Sequence, residues 1–357
     1  MTRKVSKDQM TPLERVTAFM TGQPYDRIPC NPSLGDHASR IAGLTVAEYH
    51  NSAAKMAGAQ IFAYQTYGHD FVGLGPGHAG VAEALGTRLA FPDDSTPFVK
   101  EFALQNSTEL DSLMVPDPLK SGRFPLFLEA LDILNEKLGH EVPIGFVIGG
   151  PMSAAYSLRG AEALMKDLYV RPEFVYELLD LCVKSTIPLL KEVARRGAGI
   201  VIVDPVSSGS LIGPGFFRTF SLPYLKQLIG AIREFAKPPV LHICGDTRKI
   251  LGDMVETGAG GLSLDNAIDL DEAKRQVGSR VMIIGNVNPA ESMYRGTPEL
   301  VRLDVRNCMK KAHDSPKGYL LGLGCELPIK TPPENVHSLI DAARIYGAYP
   351  YDSELFC

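Results

Sequence analysis

From residue 143 onward this chain repeats one pair of patterns six times: an apolar, β-branched run, then an amphipathic helical stretch. The runs at 143–149, 199–204, 240–244, 261–265, 280–285 and 319–325 read as strands. The stretches at 161–169 and 172–195, then 216–235, 247–256, 271–277, 298–312 and 333–346, read as the intervening helices. Strands joined through helices must run parallel, because a parallel crossover needs a dozen or more residues. The chain is therefore predicted to form an α/β parallel sheet, either closed or open.

Polar residues at the strand ends favour closure. Asp204, His242 with Cys244, Asp265, Asn286 with Asn288, and Cys325 with Glu326 all stand at or just past the C-terminal ends of successive runs. In a TIM barrel these ends converge on one face, and that face carries the chemistry. In an open doubly wound sheet they would be spread along an edge. No Gly-x-Gly-x-x-Gly segment opens a helix, which weakens the dinucleotide-binding alternative. The expectation is a TIM (β/α)8 barrel in one domain over residues 1–357, with an N-terminal helical extension over about residues 1–28. The first strands must lie before residue 140, where Gly73-Leu-Gly-Pro-Gly77 reads as an irregular loop.

Helix starts carry local signals. Thr11-Pro-Leu-Glu14 and Thr331-Pro-Pro-Glu334 read as capping boxes, and Thr297-Pro298 opens a helix in the same manner. Cys308 falls on one face with Val301, Val305, Met309 and Ala312, and Cys182 with Val175, Leu178 and Leu179; both are expected to be small core residues.

Composition excludes several classes. A net charge of −5 points to neither nucleic acid nor an anionic membrane as partner. No apolar stretch approaches the roughly 18 residues that span a bilayer. The first ten residues lack an apolar segment of the signal-peptide kind. Six scattered cysteines argue against a disulfide framework and for a reducing compartment, so a cytoplasmic location is expected.

The chemistry centres on His242-Ile-Cys244 and Cys325. Alternate residues of a strand share a face, so His242 and Cys244 can enter the barrel mouth together. One imidazole and two thiolates suit zinc, and three protein donors with an open fourth position describe a catalytic site. Asp265, ending the intervening strand, is the protein candidate for a fourth ligand. Asp204 and Asn286 are candidate substrate-binding residues, and Asp36, His37, His69 and Asp70 are candidates for lining the mouth from the early strands. Asn286 and Asn288 equally suit an Asx turn before Pro289.

His-x-Cys followed at long range by Gly-Leu-Gly-Cys325-Glu-Leu-Pro resembles the corrinoid-dependent methyltransferases of the uroporphyrinogen decarboxylase superfamily, and within it the methylcobamide:coenzyme M methyltransferases. Thr11-Pro-Leu-Glu-Arg15, Asp26-Arg-Ile-Pro29, Gly149-Gly-Pro-Met152, Gly285-Asn-Val-Asn-Pro289 and Thr331-Pro-Pro-Glu-Asn335 extend the likeness along nearly the whole chain. The resemblance implies zinc at the barrel mouth on His242, Cys244 and Cys325, with catalysis through the metal. A decarboxylase-like reading is the further alternative, but that branch carries an arginine-rich segment after its N-terminal Ile-Pro. Here residues 28–40 hold only Arg40.

The implied reaction moves a methyl group between a methyl-corrinoid and a small thiol acceptor. A free thiol has a pKa of about 8.5, and coordination to zinc deprotonates it at neutral pH. In the reverse assignment the chain demethylates an O-methyl or N-methyl donor onto Co(I) corrinoid. None of the eight histidines lies in an Asp-x-His-x-x-Gly segment, so the corrinoid is expected on a separate corrinoid-binding protein. The 73–77 and 207–215 loops are candidates for the rim on which that protein docks.

Overall fold

The computed structural model describes residues 7–106 and 108–356. Ten strands are present among them: β1 Cys30–Asn31, β2 Val72–Gly77, β3 Arg88–Ala90, β4 Phe98–Glu101, β5 Ile144–Gly149, β6 Gly199–Val203, β7 Val240–Ile243, β8 Gly261–Leu264, β9 Met282–Val287 and β10 Tyr319–Leu323. Eight form one parallel sheet in the order β1-β10-β9-β8-β7-β6-β5-β2, and β3 pairs with β4 in a separate antiparallel hairpin. The sheet curls until its two edges meet: Asp70, ahead of β2, donates its N–H to the carbonyl of Cys30 in β1 at 3.1 Å. This is the TIM-barrel fold with helices around it, as the repeated strand–helix pairs require.

Outward residues of the strands belong to one large core shared with the helices, including Ile144, Phe146, Ile148, Ile200, Ile202, Leu241 and Ile283. A second, small core of Met282, Ile284 and Leu320, with Phe19, Phe71 and Val240 against it, lies on the inner side. The Pro12–Thr21 helix supplies Phe19, so the N-terminal extension covers the N-terminal end of the barrel. That helix opens with the expected capping box, Thr11 and Glu14 each bonding the other's backbone.

Two local expectations change, and one element is new. Gly73–Gly77 is not a rim loop; it is β2 itself, paired with β5 through Val72, Gly73 and Leu74. Glycines hid the strand because they carry no β-propensity. Thr331 forms no capping box, since the Pro333–Tyr346 helix takes Pro332 as its N-cap without a side-chain bond. The β3–β4 hairpin, with Phe98 exposed, had no sequence counterpart. Cys308 and Cys182 are buried on their helices, as their spacing indicates.

Candidate metal centre

His242 is the third residue of β7, and Cys244 follows the strand's end by one residue. Cys325 follows β10 by two residues. The sheet brings these ends together, so that one donor atom from each residue lies within 4.8 Å of the others. Cys244 Sγ is 3.1 Å from His242 Nε2 and 3.7 Å from Cys325 Sγ. A tetrahedral zinc with Zn–S bonds of about 2.3 Å has a sulfur–sulfur edge of about 3.8 Å, so the pair already stands at ligand spacing. His242 Nδ1 lies 3.1 Å from the carbonyl oxygen of Ser263. A carbonyl only accepts, so this contact favours the tautomer with its proton on Nδ1 and turns Nε2 toward the sulfurs; Ser263 Oγ stands at the same 3.1 Å. The two thiols act as one unit. The hydrogen bond from Cys244 is the main reason the Cys325 thiol falls to about 4, and the same bond raises Cys244 far above the thiol range. A dication bound between them would release the proton they share.

The other residues singled out in the sequence fare differently. Asp265 stands outside the cluster: Oδ2 accepts from Gly245 N–H at 2.8 Å and Oδ1 from Ala267 N–H at 2.8 Å. Asp204 turns its carboxylate into the protein interior. It is fully buried, and its carboxylate accepts from the N–H and Oγ of Ser153 and from Ser207 Oγ. It thus caps the first turn of the Pro151–Arg159 helix across the sheet; burial pushes its pKa up, against those hydrogen bonds. Asn286 is also spent on structure, donating to the carbonyls of Asp265 and Ile268 and so fixing the loop after β8. Asn288 makes the Asx turn, its Oδ1 accepting from Ala290 and Glu291 N–H. Asp36 pairs with His50 at 2.7 Å. His37 is buried against Ile329 O and Tyr67 Oη. His69 and Asp70 precede β2, at the opposite end of the barrel from the sulfurs, because they enter the strand and do not leave it. The 207–215 segment packs on the centre: Ser210 Oγ accepts from Asp246 N–H at 3.0 Å.

A family model matches residues 11–346, under the description uroporphyrinogen decarboxylase (URO-D). The chain belongs to the URO-D family. Among its relatives, methylcobamide:CoM methyltransferase MtbA of Methanosarcina acetivorans is 33% identical over 95% of this chain and 99% of that protein. Methylcobamide:CoM methyltransferase MtaA of Methanosarcina barkeri is 29% identical over 94% and 98% of the two chains. A solved methyltransferase from Methanosarcina mazei superposes with a TM-score of 0.84 at 28% identity, covering 94% of this chain and 98% of its own.

Within this URO-D chain, reading the sequence missed the residues that hold the candidate ligands in place. Ser263 fixes the imidazole. Gly245, at φ 75°, turns the chain after Cys244 and offers its N–H to Asp265. Gly324 must lack a side chain, since a Cβ there would stand 2.4 Å from Asn266 N. A glycine directly before or after a candidate ligand is the signal that could have found the last two. Glu326 lies over the turn after β1, where a Cβ on Gly35 would meet its carboxylate at 2.1 Å. Burial, then the charges of Asp36 and Cys325, push its pKa up to about 8.

Proposed function

We propose that this chain is a methyltransferase that moves a methyl group from the corrinoid of a separate protein to a small thiol, using zinc on His242, Cys244 and Cys325. The observation that carries the reading is the convergence of one imidazole and two thiols within 4.8 Å at the C-terminal ends of two barrel strands. Bound zinc would hold an acceptor thiol as its thiolate at neutral pH. In the transfer the thiolate sulfur forms a bond to the methyl carbon as the Co–C bond breaks. Both electrons of that bond stay on cobalt, Co(III) becomes Co(I), and the thiol proton leaves to solvent.

The chain's own residues prepare this step. Ser263 holds His242 in the tautomer that presents Nε2. Cys244 and Cys325 bring two negative charges that balance a dication and preserve electron density on an acceptor sulfur. Asp265 acts first through the Gly245 amide, and breaking that one bond is what would free Oδ2 as a fourth donor. Relatives named for methylcobamide and CoM support the corrinoid and thiol parts of the reading.

Methylcobalamin absorbance tests it. Zinc-loaded protein is expected to convert methylcobalamin to Co(I) only when a thiol is added. Thiol-independent behaviour, together with methylation of Co(I) from a methyl ether or methylamine, would reverse the direction and make the chain a demethylase of such donors.

A further inference from the structure

Bulky side chains in layers fill the axis of an ordinary TIM barrel. Here they fill one end, where Met282, Ile284 and Leu320 pack with Phe19, Phe71 and Val240. The inner wall opposite is built differently. Along β2, β5 and β6 the outward residues are buried among the helices, while alternate residues retain solvent contact. Those inward residues are Gly73, Gly75, Gly145, Val147, Val201 and Val203. Strands β9 and β10 are buried at every position, so the inner positions that keep solvent contact lie on the β2–β5–β6 side. Val203 pairs in register with His242, so this wall runs up to the metal ligands. Gly75 lets β2 approach β5 closely: a Cβ there would stand 2.0 Å from the carbonyl of Val147.

The wall offers no charge and no side-chain hydrogen bond. Asp265 and Glu326, the side chains that act on Cys244 together with Cys325, are both carboxyl groups and offer an anionic tail no positive partner. Arg248, on the turn after Cys244, has its guanidinium occupied by Asp246. An anionic tail buried here would lose its water without gaining a cation, whereas an alkyl tail would gain by leaving water.

We propose that this glycine–valine well receives the non-reacting end of the acceptor, and that the acceptor is a small neutral alkanethiol, not a sulfonate or carboxylate. The proposal rests on the thiol-acceptor reading above. It is tested on the zinc-loaded full chain with methylcobalamin as donor and three probes: ethanethiol, 1-butanethiol and 2-mercaptoethanesulfonate. Both alkanethiols are expected to exceed the sulfonate in kcat/KM by about tenfold or more, as apolar-pocket discrimination allows. Calorimetric titration without a methyl donor is expected to give the same order of Kd. Val201→Phe, which fills the well, should cost 1-butanethiol about tenfold and ethanethiol under about threefold, with zinc content unchanged. If that variant does not fold, Gly145→Ala serves, because its Cβ would meet only Val72 O at 3.9 Å. Sulfonate binding equal to or tighter than the alkanethiols, or a filled well that leaves 1-butanethiol unaffected, overturns the proposal. If no thiol is methylated, the thiol-acceptor reading itself fails, and calorimetry still decides the tail preference.

Discussion

Cys308 and Cys325 carry the same side chain and differ in everything around it. Burial on a helix pushes the Cys308 thiol up to about 12, while Cys325 is drawn down to about 4 beside Cys244. Metal analysis should therefore separate them: Cys325→Ala is expected to lose nearly all bound zinc, and Cys308→Ala to keep it. A Cys325→Ala protein with full zinc would break the assignment of the ligands. Asp204 makes a different case. Asp204→Ala strands the amide of Ser153 in the interior, which should cost about 1–3 kcal/mol of stability measured by urea unfolding, with KM unchanged. A raised KM at unchanged stability would return Asp204 to the substrate. The cluster of His242, Cys244 and Cys325 was legible in the sequence because His-x-Cys at a strand end puts two donors on one face. The interior contacts of Asp204 were not legible, because strand-end position does not say which way a side chain turns. Its even-numbered place, out of phase with inward Val201 and Val203, was the available clue.

At the scale of elements, the six later strands announced themselves through β-branched runs, and β2 did not. Its outward Val72 and Leu74 are buried, but glycine stands at each alternate position, so periodicity was drowned by turn-like composition. The same glycines make the strand intolerant. Gly75→Ala would push a Cβ to 2.0 Å from Val147 O at a φ of 159°, whereas Gly145→Ala has room. Overpacking of this kind costs about 1–3 kcal/mol, so thermal unfolding should show a lowered Tm for Gly75→Ala and little change for Gly145→Ala. Equal Tm values for the two would contradict the close approach of β2 to β5. The capping box misread at Thr331 has a related cause, since Pro332 sets the N-cap one residue later than the Thr-x-x-Glu pattern suggests.

At the scale of the whole molecule, chemistry and stability occupy opposite ends of the barrel. The sulfurs gather at the C-terminal end. At the other, Arg15 bonds Asp26 at 2.6 Å and Asp70 at 2.6 Å, Arg27 bonds Asp70 at 2.5 Å, and Arg344 joins them through Asp8. Burial raises Asp26, but bonds from Arg15 and from the amides of Gln9 and Met10 outweigh it and leave the carboxyl below its ordinary value. A carboxylate depressed in the folded state contributes stability above its unfolded pKa and loses it as pH falls through the folded one. Asp26→Asn is therefore expected to lower Tm at neutral pH and flatten its fall below about pH 4, the unfolded aspartate pKa. A parallel acid limb in wild type and variant would contradict this. The central claim concerns the other end, and zinc K-edge X-ray absorption addresses it most directly. Loaded protein should show two sulfur neighbours and one imidazole nitrogen, and adding ethanethiol should raise the sulfur count to three at about 2.3 Å. An unchanged coordination shell, or loaded zinc without sulfur neighbours, would contradict it.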